Sequence, residues 1–93
     1  MTILATGGRP HHLNGTAAAA TPAAVKVPTN PSAWIGIYNA SGAQTLKVSF
    51  DGGVTYYTIA ALGKLEAPIA TTSLWVTSGA ATADYQILWV AVA

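Results

Sequence analysis

The chain has no cysteine among its 93 residues. No disulfide can staple it and no thiolate site can hold zinc, so the redox compartment leaves no mark on the sequence. Charge is nearly as scarce. Asp, Glu, Lys and Arg make up 8% of the residues, against roughly 25% in an ordinary soluble domain. The four basic residues, Arg9, Lys26, Lys47 and Lys64, are scattered and balanced by Asp51, Glu66 and Asp84. They form no stripe that could follow a phosphate backbone, so nucleic acid is not expected as a direct partner. Long apolar runs are missing too. The longest, "ILWVAVA" at 87–93, falls far short of the ~20 residues of a spanning helix. The first residues lack the basic and apolar regions of a secretory signal. No membrane partner is expected.

The same scarcity limits chemistry. His11 and His12 are the only histidines, and no acidic residue lies near them in the sequence, so no metal site is expected. Asp51, Glu66 and Asp84 are far apart in sequence. A two-carboxylate hydrolase pair is outweighed by simpler roles: a turn lock for Asp51, an exposed strand position for Glu66, a strand start for Asp84. There is no G-x-S-x-G elbow and no phosphate loop. The reading is a protein with no catalytic residue, no cofactor and no metal. A free monomer with so little charge has weak electrostatic protection against self-association. Much of its surface is therefore expected to be covered by neighbours.

What is present divides into two regions. Residues 1–22, "MTILATGGRPHHLNGTAAAATP", combine a Gly pair, prolines and an Ala run without a sustained period. They read as an extended N-terminal arm, the Ala run being too short to hold a helix. Residues 23–93 read as a single all-β domain. Candidate strands are 23–27, 33–40, 44–50, 54–60, 64–70, 72–78 and 84–92, each short, rich in β-formers and separated by turn residues. Pro68 demotes its segment to an edge or irregular crossing. About seven such strands without a helix predict a small β-sandwich, immunoglobulin-like or jelly-roll-like.

The most patterned stretch is "SFDGGVTYY", residues 49–57. Ser49, Asp51, Gly53, Thr55 and Tyr56 match S-x-D-x-G-x-T-(aromatic), which resembles the Asp-box of sialidases and related β-propeller proteins. Physically the motif is a hairpin lock. The Asp51 carboxylate can accept turn amides, Gly52 and Gly53 permit positive φ, and Thr55 resumes the strand. One copy with Arg9 as the sole arginine lacks the blades and arginine cluster of a sialidase.

The aromatics are prominent, with three Trp and four Tyr. Alternation sets Trp34 and Tyr38 against Ile35 and Ile37, and Trp75 against Leu74 and Val76. If the aliphatic faces form the core, Trp34, Tyr38 and Trp75 point outward as interface anchors or as a sugar-stacking platform. The opposite assignment puts the aromatics in the core. The uncharged last strand, with Trp89, is either central in its own sheet or buried against another chain. The candidate subunit contacts are thus Arg9, Pro10, His11 and His12 of the arm together with Trp34, Tyr38, Trp75 and Trp89.

Residues 33–92, through "WIGIYNASGAQTLKVSFDGGVTYYTIA" and "TTSLWVTSGAATADYQILWV", resemble the small β-sandwich virion proteins of tailed bacteriophages. The resemblance implies a structural role on the capsid surface. It points to a decoration (cement) protein that binds the major capsid protein or other virion subunits, forms a homo-oligomer with a trimer favoured, and bridges neighbours through its arm. A tail, baseplate or head–tail joining protein is the alternative, and a carbohydrate-binding or adhesive module the second.

Overall fold

The computed structural model describes residues 9–92, and every regular element in them is a β-strand. There are eight: β1 (Arg9–Ala17), β2 (Ala23–Ala24), β3 (Ser32–Asn39), β4 (Leu46–Ser49), β5 (Tyr57–Ile59), β6 (Lys64–Ala67), β7 (Trp75–Ser78) and β8 (Ala83–Ala91). They form two four-stranded sheets, ordered β1-β8-β3-β6 and β2-β7-β4-β5. The protein is a small β-sandwich, and all of its strand pairs are antiparallel.

The pairing has a simple logic. β1 pairs with β8, β2 with β7, β3 with β6 and β4 with β5. The chain is one long hairpin, rolled so that β8 also meets β3 and β7 also meets β4. This is a jelly roll. An immunoglobulin-like sandwich would place several consecutive strands side by side, whereas here only β4 and β5 are consecutive neighbours. The tip of the long hairpin is residues 50–56, so the Asp-box-like stretch sits where the whole chain reverses.

Each of the seven expected strands overlaps an observed one; five observed strands lie within the expected bounds, and β3 and β8 begin one residue earlier. The eighth is a correction. Residues 9–17, expected to belong to a loose arm, are β1, an edge strand in register with β8 from Arg9↔Ala91 to Ala17↔Ala83. Leu13, Gly15 and Ala17 face the sandwich, while His12, Asn14 and Thr16 face away. The alternation was hidden because two inward positions carry almost no side chain. Gly15 is required there: a Cβ would lie 2.5 Å from the Tyr85 hydroxyl oxygen, so the Tyr85 ring fills the space a larger residue would need. The remainder of the expected arm crosses between sheets. The Ser78 amide donates to the Ala18 carbonyl at 3.0 Å, and the Ala20 amide to the Ser78 carbonyl at 3.1 Å. Residues 1–8 lie outside the described residues.

Of the two faces that alternation separates, the core is the aliphatic one: Ile35 and Ile37 of β3, Leu46 and Val48 of β4, Val76 of β7 and Ile87 of β8. Trp89 joins them at 0% exposure. Its expected place at a subunit interface is overturned, because β8 is central in the first sheet and Trp89 shares the inward face of Ile87 and Tyr85.

Candidate functional site

The hairpin tip explains its own sequence. The Ser49 hydroxyl donates to Asp51 Oδ1 at 2.5 Å and accepts the Gly53 amide at 2.9 Å. Asp51 Oδ1 also accepts the amides of Val54 and Thr55, at 3.2 and 3.0 Å, and Oδ2 accepts the Thr55 hydroxyl. Gly52 and Gly53 take φ of 78° and 88°, a region open to glycine at little cost. Trp75 faces outward from β7 opposite Ser49 and lays its ring against Gly53, where a Cβ would sit 3.6 Å from Cε3. Ser49 is thereby buried although it is on the outer face. Trp75 is thus half-covered by its own hairpin tip.

Four donors aimed at one carboxylate hold Asp51 far below its ordinary pKa of 3.8, the Ser49 hydroxyl contributing most and the Thr55 hydroxyl next. A carboxyl depressed by folding contributes stability that is complete above the unfolded pKa. That contribution is lost as pH falls through the folded value. Thermal melts of the wild-type chain are therefore expected to drop as pH falls below about 4, and the Asp51→Asn variant to show a flatter acid limb. Parallel acid limbs would mean that Asp51 is not the titrating lock.

The remaining ionisable groups do not converge. Glu66 Oε1 lies 3.6 Å from Lys64 Nζ on β6. Asp84 accepts the Thr16 hydroxyl across the β1–β8 ladder at 2.7 Å. His11 and His12 are successive strand residues, so their rings leave opposite faces of the sheet, His11 half-buried and His12 exposed. The pair cannot jointly grip one ion. Among the described residues no group of three His, Cys, Asp or Glu is placed to hold a metal, and no helix is long and apolar enough to cross a membrane. Arg9 and Pro10 are exposed at the start of β1.

An open groove of about 590 Å3 lies on the outer face of the first sheet, and its walls include Trp34, Tyr38, Leu88, Gln86 and Asn14. The register explains the assembly. Asn14, Gln86, Tyr38 and Lys64 stand in one cross-strand row, and His12, Leu88, Gly36 and Glu66 in the next. Gly36 leaves a bare patch, and the outer edge of the Trp34 ring packs against it. A Cβ on Gly36 would come 2.9 Å from both Cη2 and Cζ3 of that ring. The indole thus uses the room left by a missing side chain and is half-exposed, in the same groove as Tyr38, which is 38% exposed. Sequence alternation put Trp34 and Tyr38 on one face, outward only if the aliphatic face is the core, which it is. It did not find Asn14, His12, Lys64, Glu66 or Gln86 as their neighbours, because only the rolled topology brings β1 and β6 to the two sides of β8 and β3.

Sequence reasoning also missed two buried polar locks. Ser32 accepts the Thr71 amide at 3.0 Å and donates to the Ile69 carbonyl at 2.6 Å. Asn39, 0% exposed, ties together the chain reversals on either side of it. Its signal was the "NASG" turn, which marks a reversal without saying that the asparagine is interior.

No protein-family model matches the chain, and no curated protein matches it significantly. Among solved structures, one of Bacillus endospore appendages, described as a novel family of disulfide-linked pili, is similar in fold. The two align with a TM-score of 0.60 over 88% of this chain and 85% of that one, at 18% identity. At that identity the likeness is one of architecture, and it supports the small all-β sandwich. The cross-link named for the appendages has no counterpart here, since this chain has no cysteine.

Proposed function

We propose that this chain is a non-enzymatic structural subunit of a virion. In this reading it is a capsid decoration (cement) protein of a tailed bacteriophage that binds the shell and bridges neighbouring subunits. The observation that carries the reading is the free edge of β1. The strand is nine residues long, has no partner on its outer side among the described residues, and after Arg9 holds no Asp, Glu, Lys or Arg. Edges that stay free in solution are commonly short, charged or bulged. This one has the length and neutrality of an edge that receives a neighbour. Bridging then runs along a folded strand instead of a loose arm. The partner is the major capsid protein or further copies of the chain, with a trimer favoured. Recurrence of jelly rolls in capsid domains adds support by fold analogy.

A fibre subunit is the second reading, favoured by the fold shared with the appendage structure. Head-to-tail contact along an edge grows an open filament unless its rotation closes, and here it would hold without disulfides. A tail, baseplate or head–tail joining position would use the same edge at lower copy number.

Light scattering over a range of protein concentrations separates these readings. A discrete oligomer of constant mass, retained when residues 1–8 are deleted, is expected for a shell protein that assembles through β1. Mass that grows without limit would favour the fibre. A monomer at every concentration would sink self-assembly through this edge.

A further inference from the structure

We propose that the outer face of the first sheet is a binding site for a neutral oligosaccharide, with the Trp34 indole as its stacking platform. This goes beyond the structural role and does not depend on it, since assembly along the β1 edge leaves the face open.

Three features of the groove select the ligand. The first is the platform. Trp34 packs the Cη2–Cζ3 edge of its indole against Gly36 and is half-exposed, and Tyr38 lines the same groove. A fixed, half-exposed aromatic pair suits the C–H face of a sugar ring, which is apolar in the middle and polar at its rim. The second is the polar complement. Asn14 and Gln86 are direct cross-strand neighbours in the row that ends at Tyr38 and Lys64. Each amide carries both donors and an acceptor, as paired hydroxyls do. The third is charge. Lys64 and Glu66 sit 3.6 Å apart on the groove wall and largely cancel one another. No unopposed field remains to recruit an acidic ligand, which argues for a neutral one.

Size argues against a second copy of the chain as the occupant. The two rows and the Trp34 position span three interstrand gaps and about four residues of strand, roughly 200 Å2. A stable protein interface needs about 800 Å2 from each partner. The middle of the patch, Trp34, Tyr38, Gln86 and Leu88, stands on the central strands β3 and β8, so its backbone needs no ordering on binding.

The test is a titration of the 15N-labelled full chain followed by amide chemical shifts. The probes are neutral gluco-, manno-, galacto-, xylo- and N-acetylglucosamine oligosaccharides, with polygalacturonate as the anionic comparison. Saturable shifts with at least one neutral probe are expected, confined to His12, Asn14, Trp34, Tyr38, Gln86 and Leu88. Two variants keep the result independent of folding defects. Gln86→Ala changes an exposed side chain and is expected to weaken binding with the spectrum otherwise intact. Gly36→Ala puts a methyl 2.9 Å from the indole edge, which must displace the ring, and is expected to abolish saturation while Trp34 is still present.

Four results would overturn the proposal. They are no saturable shift with any neutral probe, binding of polygalacturonate alone, shifts centred on Trp75 and the hairpin tip, or groove shifts that follow protein concentration instead of sugar. The last would identify the face as a contact between copies.

Discussion

Trp89→Ala is expected to cost about 3–5 kcal/mol of folding stability, the range for removing a fully buried large aromatic. A domain of this length holds roughly 5–15 kcal/mol in total, so the variant should unfold at a much lower urea concentration or fail to fold at room temperature. The reason is position as much as size. Trp89 lies on the inward face of β8, flanked in register by His11 of β1 and Ile35 of β3, and is 0% exposed. It spans the middle of the first sheet, where backbone strands on both sides prevent collapse into the space left behind. Its indole Nε1 has no hydrogen-bond partner among the described residues. Trp89→Phe therefore removes a buried donor together with part of the ring. It is expected to cost clearly less than the alanine change, because an unpaired buried donor is itself a penalty. Equal losses for Phe and Ala, measured by urea denaturation with unchanged m-value, would show that the indole N–H is satisfied and contributes.

Asn39→Ala is expected to cost about 3–4 kcal/mol, for a polar reason instead of an apolar one. The Asn39 amide nitrogen donates to the carbonyls of Gln44, Ile59 and Ala60 at 2.8, 3.2 and 3.1 Å, and its oxygen accepts the Ser41 amide at 3.0 Å. One buried side chain thus joins the β3–β4 reversal to the β5–β6 reversal. Alanine strands several backbone groups at once, each worth about 1–3 kcal/mol when buried and unpaired. Asn39→Asp separates this from simple loss of volume. The shape is kept, but the donors are lost at neutral pH and one returns when the carboxyl is protonated. Its deficit relative to wild type is expected to shrink on mild acidification, a trend that Asn39→Ala should not show. If Asn39→Asp and Asn39→Ala respond identically to pH in urea melts, the bridging role fails.

These two residues show how unevenly the sequence speaks. Alternation in β3, β4 and β7 groups Ile35 with Ile37, Leu46 with Val48 and Leu74 with Val76 on one face of each strand, because successive side chains of a pleated strand point to opposite sides whatever its partners are. The all-β class, the short strands and the turn chemistry of Ser49, Asp51, Gly52, Gly53 and Thr55 were legible for the same reason. Each depends on interactions within a few residues. Strand β1 was not legible, since its inward positions are Leu13, Gly15 and Ala17, and the demand for a small residue comes from Tyr85 across the ladder.

Trp89 and Trp34 make the same point from opposite sides. Both stand on strands with apolar residues on either face, and local periodicity cannot rank two apolar faces. Trp89 is interior because β8 is central and its odd-numbered residues point at the second sheet. Trp34 is outside because the inward positions of β3 belong to Ile35 and Ile37, and its ring edge packs where Gly36 leaves room. Local pattern is enough for a small, charge-poor, cysteine-free β-sandwich with a locked turn near its middle. Long-range pairing sets the rest: the chain is a hairpin rolled into a jelly roll, residues 9–17 are the first of its described strands, and β1, β8, β3 and β6 together build one outward groove. Those facts rest on pairings between residues as far apart as Arg9 and Ala91, and no local pattern encodes which distant strand will supply the neighbour.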